Sequence, residues 1–138
     1  MDTKHKTVLL LLAISGSLMF VSAKPEDDAR KAAEEWLALI DAGKYGDGWE
    51  AAAGYVKDAV PKDDFVHSLE AARKPLGDLV SRKLKVAKFT KTLPGAPDGQ
   101  YVVIQFETSF TGKKAAIETI TPMLDKDGTW RVSGYYIK

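Results

Sequence analysis

"ARKPLGDLVSRKLKV", residues 72–86, is where one periodicity ends and another begins. Upstream of it, apolar side chains recur every three or four residues, as on one face of a helix. From Leu79 onward they alternate with polar ones, as along a strand. Pro75, Leu76 and Gly77 mark the join, a proline and a glycine that stop the helix. Helices before the join and strands after it predict an α+β chain rather than an alternating α/β one. Arg73 and Arg82, one on each side of the join, fall on faces whose other members are apolar. They are the first residues that call for a partner.

The spacing predicts three helices before the join. The first runs from Pro25 to Ala42, with Pro25, Glu26, Asp27 and Asp28 suited to a first turn and Gly43 as its stop. Its stripe is Ala29, Ala32, Ala33, Trp36, Leu37 and Ile40, with Lys31, Glu34, Glu35 and Asp41 opposite. The second starts at Asp47 as N-cap and gathers Trp49, Ala52, Ala53, Val56 and Val60, so both tryptophans read as core. The third opens at Pro61 and buries Phe65, Leu69, Ala72 and Leu76. His67 lies nearly opposite that arc and reads as solvated.

Four strands follow: about Leu79 to Leu93, 100–110, 115–125 and 129–138. Their short connections imply an antiparallel meander, because a parallel crossover needs a dozen or more residues. The expected fold is therefore α+β, with three N-terminal helices packed on one face of a bent four-stranded antiparallel meander sheet. The bend is expected from a bulge at Val86–Ala87, where the apolar parity of the first strand slips by one. "DKDG" (125–128) lacks the spacing and terminal Glu of a calcium loop and reads as a hairpin turn with Gly128 in the left-handed region.

The stretches "AAEEWLALIDAGKYGDGWEAAA", "ARKPLGDLVSRKL" and "DKDGTWRVSGYYIK" resemble the bacterial exported family called domain of unknown function 4019. The resemblance spans about residues 29–138. It implies a cell-envelope location and no established activity. The architecture is also similar to the cystatin-like and nuclear-transport-factor-2-like cups, which host enzymes and plain binding modules alike. The Asp/His pairs of the catalytic cups are not apparent.

The chain opens with Lys4, His5 and Lys6, a mostly apolar run from Val8 to Phe20, and Val21-Ser22-Ala23 before Lys24. That pattern reads as a signal peptide over 1–23, leaving residues 24–138 as one secreted or periplasmic domain. The apolar run covers roughly 20 Å as a helix against a hydrocarbon core of about 30 Å, so a cleaved signal peptide is expected rather than an uncleaved anchor, with no stable membrane insertion once it is removed. Without residues 1–23 the chain carries 18 basic and 18 acidic side chains, which argues against nucleic acid as a partner. There is no cysteine. With one histidine beyond the leader, no metal site, cofactor or triad is expected.

The candidate ligand-binding residues are Arg73, Arg82, Glu118 and Tyr136. A buried guanidinium needs a carboxylate, a carbonyl or an anionic ligand, because leaving it unpaired costs several kcal/mol. Glu118 is the candidate acid, and a regular hairpin across the DKDG turn sets it near Tyr136. Pro122 cannot donate to a ladder, which points to a second bulge there. Gln105, Tyr101, Val103 and Glu107 are expected on the outer sheet face, where a homodimer could form. Lys83, Lys85 and Lys88 share the outer face of the first strand and read as protection of an edge. The leading expectation is a non-catalytic exported module that binds a small anionic ligand or an envelope protein. The alternatives are an isomerase- or hydrolase-like enzyme with Glu118 as base beside Arg82 and Tyr136, and a structural homodimer through the outer sheet face.

Overall fold

The computed structural model describes residues 24–138; the expected signal peptide over 1–23 lies outside the described residues. Within these residues four α-helices precede the strands: α1 Pro25–Asp41, α2 Tyr45–Glu50, α3 Gly54–Ala59 and α4 Lys62–Arg73. A 3-10 turn, Lys74–Leu76, carries the chain into β1 Leu79–Thr90, β2 Tyr101–Phe110, β3 Lys113–Leu124 and β4 Trp130–Ile137. The strands form one sheet in the order β1-β2-β3-β4, antiparallel throughout. This is the α+β arrangement that the change of periodicity predicts.

Helix α1 packs across all four strands. Ala29, Ala33, Trp36, Leu37 and Ile40 are buried on it, facing Val102, Ile104 and Phe106 of β2, Ile120 of β3 and Val132 of β4. The small residues Ala29 and Ala33 bring the helix close, and Trp36, Leu37 and Ile40 fill the far end.

The expected second helix is two short ones. Helix α2 begins at Tyr45 and places Asp47 in its first turn instead of at the N-cap. The break falls where Ala53 turns extended (φ −61°, ψ 149°) and gives its N–H to the Val132 carbonyl of β4 at 2.8 Å. A sheet hydrogen bond has displaced a helical one. A Cβ at Gly48 would lie 2.6 Å from Ile40 Cδ1, so a larger residue there would have to displace that buried side chain. Trp49 is only half-buried, and its indole N–H donates to the Val60 carbonyl at 2.8 Å, tying α2 to the end of α3. In α4, Leu69 and Arg73 are buried, whereas Ala72 is exposed. His67 is exposed, as its helical angle implies.

The join at Pro75-Leu76-Gly77 docks on the opposite end of the sheet. Gly77 sits at φ +74°, and the Gly112 N–H in the β2–β3 turn donates to the Leu76 carbonyl at 2.7 Å. Asp78 and Thr111 exchange two further bonds, at 2.9 and 3.0 Å.

The ladders carry four register shifts, one of them between Thr108 and Phe110 where β2 meets β3, and the other three bear on the expected facings. In β1 the shift lies between Leu84 and Val86, one residue earlier than expected. Leu84 still faces in beside Phe106, but Val86 pairs with Gln105 and turns outward, 44% exposed. A second shift between Leu79 and Ser81 leaves Val80 unpaired and 62% exposed. The third falls between Thr121 and Pro122, where the missing N–H of the proline predicts it. Tyr101, expected on the open outer face, is buried because the 94–99 loop folds over it and the Pro97 carbonyl accepts a hydrogen bond from its hydroxyl. Less apolar surface is therefore left on that face than the alternation implies.

Candidate functional site

Six elements each send one side chain to a single buried polar cluster. Asp41 is the last residue of α1 and Arg73 the last of α4; Arg82, Thr108, Glu118 and Tyr135 come from β1, β2, β3 and β4. The Arg82 guanidinium lies at the centre and uses two forks. Its Nε and Nη2 donate to Glu118 at 2.6 and 3.1 Å, and its Nη1 and Nη2 donate to Asp41 at 2.8 and 3.0 Å. Arg73 Nη2 donates to the same Asp41 at 3.0 Å. Thr108 donates to Glu118 Oε1 at 2.6 Å, and the Tyr135 hydroxyl donates to Glu118 Oε2.

Two guanidinium and two carboxylate groups leave the cluster neutral. Glu118 is fully buried, and each of its oxygens accepts two hydrogen bonds. All four of its lone-pair positions are therefore engaged within the cluster. Burial alone would lower the Arg82 pKa, but the hydrogen bonds and charges of Asp41 and Glu118 outweigh it and hold the group above its usual range. Arg73 is also buried, and its guanidinium carbon stands 4.8 Å from the Phe110 ring centroid. Its Nε and Nη1 have no hydrogen-bond partner, so the ring face supplies part of the compensation.

Of the residues expected to form the site, Arg73, Arg82 and Glu118 meet here and Tyr136 does not. The bulge at Thr121–Pro122 moves β4 by one residue, so Glu118 stands opposite Ile137 and Ile120 opposite Tyr135. Tyr135 therefore faces the helices and reaches Glu118, while Tyr136 pairs with Thr119 and is 58% exposed. Asp41, Thr108 and Tyr135 were not among the expected residues. Asp41 carried a signal in its spacing from Leu37: four residues at about 100° each set it only some 40° beyond the buried arc.

Tyr135 also joins this cluster to a groove between α3, α4 and β4. The groove encloses about 480 Å³, and Trp36, Tyr55, Val56, Phe65, Leu69 and Tyr135 are among the side chains of its wall. Six consecutive residues of β4, 132–137, line it, so it runs along the free edge of the strand. Its lining contains no carboxylate, imidazole, amine or guanidinium. Trp36 forms the floor, edge-on to Tyr135 at 5.2 Å and to Phe65 at 6.4 Å, and donates its indole N–H to the Gly48 carbonyl at 2.8 Å. Among the described residues no group of His, Cys, Asp or Glu is placed to hold a metal ion, and no helix is long and apolar enough to cross a membrane.

A protein-family model described as "Protein of unknown function (DUF4019)" matches residues 32–135. The chain belongs to the DUF4019 family. No curated protein matches it. The DUF4019 match takes in all six members of the polar cluster and ends at Tyr135, the side chain shared by cluster and groove.

The tyrosine gives the DUF4019 cluster a measurable signature. Burial first, and the charge of Glu118 second, push the Tyr135 hydroxyl well above the usual phenol range. A folded pKa raised above the unfolded value of about 10 contributes stability that is complete below that pH and lost as pH rises past it. Above pH 10 this one proton should cost about 1.4 kcal/mol of stability per pH unit. Urea melts at successive pH values should show that slope reduced by about this amount in Tyr135→Phe. Equal slopes in the two proteins would remove Tyr135 from the cluster.

Proposed function

We propose that this protein is a non-catalytic binding module of the bacterial cell envelope, exported by its N-terminal segment, that holds an apolar ligand in the groove along β4. The observation that carries the reading is the lining of the groove: about 480 Å³ walled by aromatic and aliphatic side chains with no acid–base group other than tyrosine. Binding pockets are concave and mostly apolar, whereas general acid–base chemistry needs a group of tuned pKa within reach of the substrate. Glu118, the one fully buried acid among the described residues, already has all its acceptor positions filled. The arginines in this reading serve the scaffold, holding helix ends to the sheet so that the groove keeps its walls. Helices layered on one face of a sheet leave a concave space between them, which fits a binding role.

Ser68 lines the groove from α4 and is exposed. Ser68→Trp should fill the cavity while changing stability by no more than about 1 kcal/mol, as a surface substitution does. Titration with the uncharged fluorophore N-phenyl-1-naphthylamine should show saturable binding to the wild type and at least a tenfold weaker response from the variant. Equal binding by both proteins would place the ligand elsewhere. Native mass spectrometry of protein recovered from the envelope then identifies what the groove carries in the cell.

A further inference from the structure

We propose that the free edge of β1 and the sheet face beside it form a contact strip for a surface of anionic phospholipid headgroups. The zero net charge of residues 24–138 conceals a division. Residues 24–78, the helical layer and its exit, carry 8 basic and 13 acidic side chains; residues 79–138, the sheet, carry 10 basic and 5 acidic ones. The two halves lie on opposite sides of the molecule because the helices cover one face of the sheet. Such a separation of charge orients a protein toward an anionic surface without any net charge.

The basic side chains concentrate on an edge strand. Lys83, Lys85 and Lys88 of β1 are exposed, as is Lys91 just beyond it, and Glu107, opposite Lys83, is the acid among their outward-facing neighbours on β2. Lysines alone on an edge are explained by protection against sheet-to-sheet pairing. This edge also exposes Leu79, Val80 and Val86, three of the five large apolar side chains that are exposed among the described residues. Each of the two register shifts in β1 delivers one of the valines to solvent. Exposed valines between lysines undo the protection that the lysines would provide, so a pure edge-guarding role does not account for the strip.

Cationic and aliphatic side chains intermixed on one strip match the boundary between headgroups and acyl chains. The ammonium groups meet phosphates, and the valines reach the apolar layer beneath. A soluble polyanion offers the valines nothing. Each lysine near such a surface is worth roughly a fivefold gain in binding, and the attraction is screened by salt. The contact is peripheral and reversible, and leaves the groove along the opposite edge strand, β4, free.

Co-sedimentation with vesicles tests the proposal on protein recovered from cells expressing the full chain. Vesicles of equal parts phosphatidylglycerol and phosphatidylcholine should bind the wild type at least tenfold more tightly than pure phosphatidylcholine, and 0.5 M salt should abolish the difference. Changing Lys83, Lys85 and Lys88 together to Glu should remove binding. Val80→Ser with Val86→Ser should weaken it at least fivefold at unchanged charge. Unfolding curves establish that each variant is folded. The proposal is overturned if the lysine variant binds like the wild type. It is also overturned if the valine variant does so while soluble polyphosphate displaces the protein, since the strip would then be a polyanion site. Ser68→Trp should leave vesicle binding unchanged, which separates this surface from the groove.

Discussion

Replacing Arg82 by methionine should lower the free energy of unfolding by about 3–5 kcal/mol, the usual cost of removing one partner from a buried ion pair. The magnitude follows from what is left behind. Glu118 is fully buried and would lose both donors of one fork, keeping only Thr108 and Tyr135. Asp41 would keep Arg73 alone. Adding Glu118→Gln removes the stranded charge, so the double variant should recover about 1–3 kcal/mol relative to the sum of the single changes. Denaturant melts of the four proteins in the cycle measure this directly. A single variant within about 1 kcal/mol of the wild type would show that the guanidinium is not the centre of the cluster.

Trp36→Ala is expected to rival it, at about 3–5 kcal/mol, through a different mechanism: a large cavity opened in the core. Trp36 is 3% exposed and touches both halves of the molecule, as the floor of the groove and the edge-on neighbour of Tyr135. The same change should therefore weaken N-phenyl-1-naphthylamine binding as well as stability. Trp36→Phe preserves an aromatic floor but withdraws the donor to the Gly48 carbonyl, and should cost nearer about 1 kcal/mol. If the alanine variant melts like the wild type, the helix–sheet core does not rest on this residue. A retained affinity for the fluorophore would remove Trp36 from the groove.

Much of the site was legible residue by residue, and what failed was register. Arg82 was recognisable because its strand parity sets it among apolar neighbours, and Glu118 because it was the acid that could meet it. A regular hairpin from the DKDG turn places Tyr136, not Tyr135, beside Glu118. One bulge at Pro122 reverses which tyrosine faces in, since a shift of one residue exchanges the two faces of a strand. The bulge itself was readable from the proline; its consequence for Tyr135 depended on where in the ladder the extra residue fell.

What the amino-acid order determined by itself is local. The helical stripe from Ala29 to Ile40, the stop at Pro75-Leu76-Gly77, the alternation that follows and the Gly128 turn depend on backbone sterics and on periods of 3.6 and 2. Neighbours in the chain suffice to impose them. The division of the second helix was decided elsewhere, by Val132 some eighty residues away, whose carbonyl takes the Ala53 N–H. Asp41 likewise ends a helix as an ordinary surface acid until α4, β1 and β3 bring Arg73, Arg82 and Glu118 around it. Both outcomes depend on long-range pairing: a buried donor or charge must find its partner in space, and only the packed chain places one there.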